Sequence, residues 1–130
     1  MSEKIKSFTD LIAWQRAREL VLTIYKATEN FPKKEIYGLT DQMRRAAVSV
    51  TSNIAEGFSR KSKADKAHFY TIAKSSLVEL QNQLIIAKDI NYLENNYYQA
   101  TYIITINCSK LLVGLIRAAE AKQSSPHTTY

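Results

Sequence analysis

Residues 37–60 read YGLTDQMRRAAVSVTSNIAEGFSR. Leu39, Met43, Ala46, Ala47, Val50 and Ile54 recur at steps of three and four, which places them on one stripe of a helix. Asp41, Arg45, Ser49, Ser52 and Glu56 recur at the same spacing on the other side. That side is polar but built mostly of small residues, so a second backbone could lie close to it. Gly57 is expected to end the helix or turn it into a loop, because glycine accepts a left-handed backbone at little cost.

Working back from this helix, Phe31-Pro32 is a stop signal, since the residue before proline avoids the α region. Lys33, Lys34 and Glu35 complete a short connection. Before it, a first helix is expected from about residue 10 to 30, capped by Thr9 or Asp10. Leu11, Trp14, Ala17, Val21, Ile24, Tyr25 and Thr28 would form its apolar stripe, with Trp14 as a core anchor.

Working forward, Ser62 with Asp65 three residues on resembles a capping box and opens a third helix over 63–90. Its core stripe is Phe69, Ile72, Ala73, Ser76, Leu77, Leu80, Leu84 and Ala87. Lys74, Gln81 and Asn82 are placed opposite, where Val78 and Ile85 add a small apolar seam. An Asn-rich turn leads to a fourth helix over 97–122. Apolar side chains point almost all round it, leaving Gln99, Lys110 and Arg117 as a narrow polar strip. Such a helix is buried on more than one side. A single four-helix domain cannot do that, so a second copy of the chain is expected to cover it. Ile103, Ile106, Val113, Val78 and Ile85 are the candidate interface residues. The expectation is an all-α, antiparallel up-down-up-down bundle over 1–122, with a polar tail at 123–130.

Composition agrees. The 130 residues are 45% hydrophobic and 23% charged, which fits one folded domain and excludes a disordered chain. Three glycines and two prolines are too few for the turns of an all-β fold. The net charge of +6 permits contact with nucleic acid or an anionic surface without requiring it. Cys108, alone and within an apolar run, reads as a small buried hydrophobe. The opening MSEKIKSF lacks the apolar core of a signal peptide, and no uninterrupted apolar run reaches bilayer length. A cytoplasmic location, with no membrane partner, is the expectation.

Chemical motifs are sparse. A di-iron bundle needs two Glu-x-x-His motifs, whereas this chain has one Asp-x-x-His, Asp65 to His68, and its other histidine is His127 in the tail. No metal site and no cofactor are expected. The glycines at 38, 57 and 114 make no phosphate loop. Ser49, Ser52 and Ser75 have no histidine at a useful spacing, and Asn53 and Glu56 are read as structural hydrogen-bonding groups. The chain is therefore expected not to be an enzyme. The basic residues are the remaining candidates. Arg44 and Arg45 sit on the central helix, while Arg60, Lys61, Lys63 and Lys66 surround the next loop, with Asp65 as the local acid. They could contact phosphates, or Arg45 could pair with Asp41 while the lysines are simply solvated.

Trp14-Gln15, Phe31-Pro32, Tyr37-Gly38-Leu39, Gln42 with Arg44 to Ala47, and Ser52 to Gly57 together resemble the bacterial four helix bundle protein family. It is also called the 23S rRNA intervening-sequence protein, or S23-like, family. The resemblance spans about residues 8–119. It implies a bundle that assembles as a ring-like homopentamer, with a related branch in the accessory protein of diversity-generating retroelements. That branch is a basic pentamer that binds reverse transcriptase and nucleic acid. Two functions are thus expected as alternatives. One is a scaffold whose basic surface binds RNA or DNA; the other is a protein-interaction adaptor, with a reverse-transcriptase-like protein as one conceivable partner.

Overall fold

A computed structural model describes residues 4–121. Four α-helices carry the fold: α1 (Ile12–Thr28), α2 (Leu39–Ser59), α3 (Lys63–Asp89) and α4 (Asn95–Glu120). Short 3-10 turns at Phe8–Asp10 and Lys33–Glu35 precede α1 and α2. Each helix packs on its neighbours in the chain, and α1 closes the square against α4. The chain reverses at every step. Gly57 lies beside Tyr70 and Ser49 beside Ser76, so residue number falls along α2 as it rises along α3. Lys63 meets Ala121 and Gln81 meets Thr105 in the same reversed sense across α3 and α4. The tail at 123–130 lies outside the described residues.

The core is formed as the helical periodicity requires. Met43, Ala46, Ala47, Val50 and Ile54 of α2 are buried, as are Ala73, Leu77, Leu80, Leu84 and Ala87 of α3. Burying each leucine or isoleucine contributes about 1.5–3 kcal/mol. On the polar side of α2 only Ser49 is seen to meet another helix, while Arg45, Ser52 and Glu56 stay exposed. The Ser49 and Ser76 hydroxyls bond at 2.8 Å, and Asn53 Nδ2 donates to the Ser49 carbonyl at 2.9 Å and to its hydroxyl at 3.1 Å.

Several expectations need correction. Neither Thr9 nor Asp10 caps α1, whose N-cap is Leu11 with no side-chain bond; the capping box belongs to Ser7 and opens the preceding 3-10 turn. The Ser7 hydroxyl accepts from the Thr9 N–H, and Asp10 reaches back to the Ser7 N–H at 3.1 Å. Leu11 is extended with its side chain buried, so α1 starts at Ile12 rather than at about residue 10, and it ends at Thr28 rather than at 30. The buried face of α1 is also rotated from the expected stripe. Ala13, Ala17, Leu20, Ile24, Ala27 and Thr28 are inside, Trp14 is half-buried against the edge of Phe8, and Tyr25 is exposed. The small Ala13 and Ala17 admit neighbouring helices that Trp14 would hold off.

Gly57 does not end α2. It lies inside the helix at ordinary negative φ, buried, and the helix runs two residues further. A β-carbon there would stand 2.6 Å from Cε1 and 2.8 Å from Cδ1 of buried Tyr70. The residue is glycine because α3 comes so close. The residue that does take left-handed backbone is Asn91, φ 63°. Its N–H and that of Tyr92 bond back to Lys88 and Ala87, closing the end of α3.

One more position differs. Gln81 is not on the solvent side of α3 but donates to Thr105 Oγ1 of α4 at 3.0 Å. Helix α4 is, by length and average composition alone, apolar enough to cross a bilayer, as the core helix of a bundle also is, although polar residues interrupt its apolar run as the sequence reading had it. Its Ile, Leu and Val content outweighs the threonines that break up the apolar run. In the bundle Thr101 and Thr105 are buried, each donating to a carbonyl of its own helix.

Candidate nucleic-acid interface

The six candidate cations do not form one patch. Arg60 follows Arg45 by fifteen residues and sits just past the end of α2, about 22 Å along the axis at 1.5 Å per residue. Arg44 leans on Thr28 of α1, whereas Arg60 leans on Phe69 of α3.

The first group occupies an open groove between α1 and α2, lined by Tyr25, Asp41, Arg44, Arg45, Val48, Ser49 and Ser52. The guanidinium of Arg44 lies 4.6 Å from the centre of the Tyr25 ring. Its Nε donates to Thr28 Oγ1 at 2.9 Å and its Nη2 to the Tyr25 carbonyl at 3.4 Å. Arg45 is largely exposed, and its Nε donates to Asp41 Oδ2 at 3.0 Å. That exposed pair at i, i+4 is worth about 0.3–0.5 kcal/mol, too little to lock it.

The second group surrounds the α2–α3 turn. Arg60 pairs with Glu56 and lies over the Phe69 ring at 4.6 Å. Lys61 is exposed. Lys63 Nζ donates to the Ala121 carbonyl at 3.2 Å. Lys66 Nζ donates to the Phe58 carbonyl at 2.7 Å and to the Gly57 carbonyl at 3.4 Å, 5.3 Å from the Phe58 ring. Burial lowers its pKa. Ser62 caps α3 by accepting from the Asp65 N–H at 3.1 Å. His68 is exposed, edge-on to Phe69. Among the described residues no three His, Cys, Asp or Glu side chains gather as metal ligands.

The candidate interface residues lie on the outer side of α3 and α4. Val78 is three residues before Gln81 and Ile85 four after it, and Ile106 follows Thr105, so these apolar side chains flank the Gln81–Thr105 bond. Ile103, one helical turn before Ile106, is 58% exposed; Val78 is 57% exposed, and Val113 is half-buried.

Sequence reasoning missed one polar node. Glu35 Oε1 accepts from the Leu39 N–H at 3.1 Å and so caps α2, while its Oε2 accepts from the Tyr92 hydroxyl at 2.8 Å. The Leu39 bond, then that of Tyr92, holds the Glu35 carboxyl below the usual glutamate range. A β-carbon on Gly38 would stand 2.6 Å from Glu35 Oε1, so glycine makes room for the cap. No local signal announced this, because its partners are four and 57 residues away. The platform of Arg44 was missed for the same reason, since Thr28 and Tyr25 lie on another helix.

Four antiparallel helices with two separate cationic clusters and an incompletely covered α3–α4 face define an all-α four-helix-bundle protein. The sequence profile of the 23S rRNA-intervening sequence protein family matches residues 9–114, and the chain belongs to that family. No curated protein matches it. Among solved structures, it is similar to a protein of unknown function from the S23 ribosomal protein family of Bacteroides thetaiotaomicron. The two share 22% identity over 82% of this chain and 99% of that one, with a TM-score of 0.73. That likeness concerns the fold.

Proposed function

We propose that this protein is a non-enzymatic, cytoplasmic scaffold, assembled as the homopentamer that the family resemblance implies, whose basic surface holds the backbone of RNA or DNA. The observation that carries the reading is the end of the bundle at residues 56–66, where Arg60, Lys61, Lys63 and Lys66 stand against two carboxylates, Asp65 and the Glu56 that pairs with Arg60, and Lys61 and Lys63 are exposed with no carboxylate partner among the described residues. Arg44 and Arg45 add a second contact on each subunit. Ring assembly would repeat both clusters around one surface and pool their field. The exposed apolar side chains of Val78, Ile85, Ile103 and Ile106 support such an assembly, since their burial between copies would remove them from water.

Phosphate contacts of this kind are largely blind to sequence and weaken with salt, by about 0.7–0.9 in log K per contact for each tenfold rise. The test is fluorescence anisotropy of the full chain with labelled RNA and DNA across a salt series, alongside light scattering. Changing Lys61 and Lys63 to Gln is expected to flatten the salt slope, and changing Ile103 and Ile106 to Asp to lower the mass. No binding to either nucleic acid at low salt would refute the reading.

A protein-interaction adaptor is the second reading. It is favoured by a different apolar group, Ile36, Ile86, Ile90 and the 92%-exposed Tyr37. A protein partner retained by the chain after nuclease treatment would support it.

A further inference from the structure

The Arg44 guanidinium, like the Lys66 ammonium, is held by neutral groups alone, but it is the one that presents a guanidinium fork to an open groove. It is half-buried, yet both of its hydrogen bonds go to neutral oxygens, the Thr28 hydroxyl and the Tyr25 carbonyl. Among the described residues it has no carboxylate partner, whereas Arg16, Arg45 and Arg60 each have one. A partly desolvated cation without a counter-ion is unfavourable, and the π face of Tyr25 offsets only part of that. The same contacts fix its position before any ligand arrives. Two of its five N–H bonds are used, which leaves three to donate. Beside it stands Arg45, joined to Asp41 only by a weak exposed pair, so the groove holds two guanidiniums against one carboxylate. The remaining walls are Tyr25, Val48, Ser49 and Ser52, a flat aromatic, an aliphatic and two hydroxyls, that of Ser49 already bonded to Ser76. The groove, about 620 Å³, is large enough for a nucleotide unit.

We infer that this α1–α2 groove is a discrete phosphate seat. Arg44 and Arg45 take the phosphate group of a nucleotide unit in fork geometry, and Tyr25 and Val48 flank its sugar or base. Guanidinium forks match phosphate oxygens in a way a lysine ammonium does not. Where the phosphate belongs to a strand, the inference rests on the nucleic-acid reading above and names one of its contact points. Where it belongs to a free nucleotide, the seat stands without that reading. Unlike the lysine-rich end of the bundle, it should saturate with one phosphate per subunit.

The test is NMR of the arginine Nε–H signals of the full chain, titrated separately with inorganic phosphate, a 5′-mononucleotide and a short RNA oligonucleotide. A saturable shift of the Arg44 Nε–H with the nucleotide or the oligonucleotide is expected. Arg44→Lys keeps the charge but loses the fork, and binding should weaken about tenfold, the loss of one charge-assisted hydrogen bond. Arg45→Gln, at an exposed position with little risk to folding, should weaken it in the same direction. An Arg44 signal unmoved by any of the three probes would overturn the seat. So would oligonucleotide binding that survives both arginine changes but is lost when Lys61 and Lys63 are changed to Gln; the scaffold reading would then still hold. Mononucleotide binding at Arg44 with no oligonucleotide binding would uphold the seat and reject the scaffold.

Discussion

Replacing Gly57 with alanine sets two effects of opposite sign against each other. In an exposed helix interior the change would stabilise the protein by about 0.8–1 kcal/mol, from helix propensity alone. Here the new methyl would lie 2.6 Å and 2.8 Å from two carbons of the Tyr70 ring and 3.2 Å from the Phe69 β-carbon. The Tyr70 ring is buried, 4% exposed, so it cannot swing away without opening the α2–α3 contact. Overpacking of this kind costs about 1–3 kcal/mol, at the upper end where contacts fall below 3 Å. The net expectation is destabilisation by about 1–2 kcal/mol, a fall of roughly 3–8 °C in Tm for a domain of this size. Thermal and urea unfolding would measure it. The cycle with Tyr70→Leu isolates the cause, because in that background Gly57→Ala should lose most of its cost. A Gly57→Ala protein more stable than the parent by the propensity term would refute the close approach of α2 and α3.

Two further outcomes follow from titrating groups. The Glu35 pKa is lowered in the folded chain, so the carboxylate's stabilisation is fully present above the usual glutamate pKa of about 4.3 and is lost as pH falls through the lowered value. Tm measured from pH 6 downward should therefore fall less steeply in Glu35→Gln, and identical slopes would remove the cap from this account. Burial pushes the Cys108 thiol up to about 12. The native protein should resist thiol reagents at pH 8 and react at the rate at which it opens, so immediate labelling without denaturant would contradict the packing of α4.

The sequence alone determined the number of helices, their approximate limits and the inward face of α2 and α3. Those depend on periodicities of three and four and on local caps such as Ser62, information carried within a few residues. Burial of Cys108 and the Arg45–Asp41 pair were legible for the same reason. What the tertiary structure decided concerns pairs far apart in the chain. Gly57 looked like a helix end because its local conformational freedom was visible and the ring of Tyr70, thirteen residues on, was not. Tyr25 looked like core because the rotation of α1 depends on how α2 and α4 pack against it. The two groups of cations were legible as separate stretches of the chain, but which helices each group leans on was not. Arg44 became distinct from its neighbour Arg45 only when α1 supplied Thr28 and Tyr25. Periodicity fixes which way a side chain points from its own helix axis; what it meets there depends on the neighbouring helix.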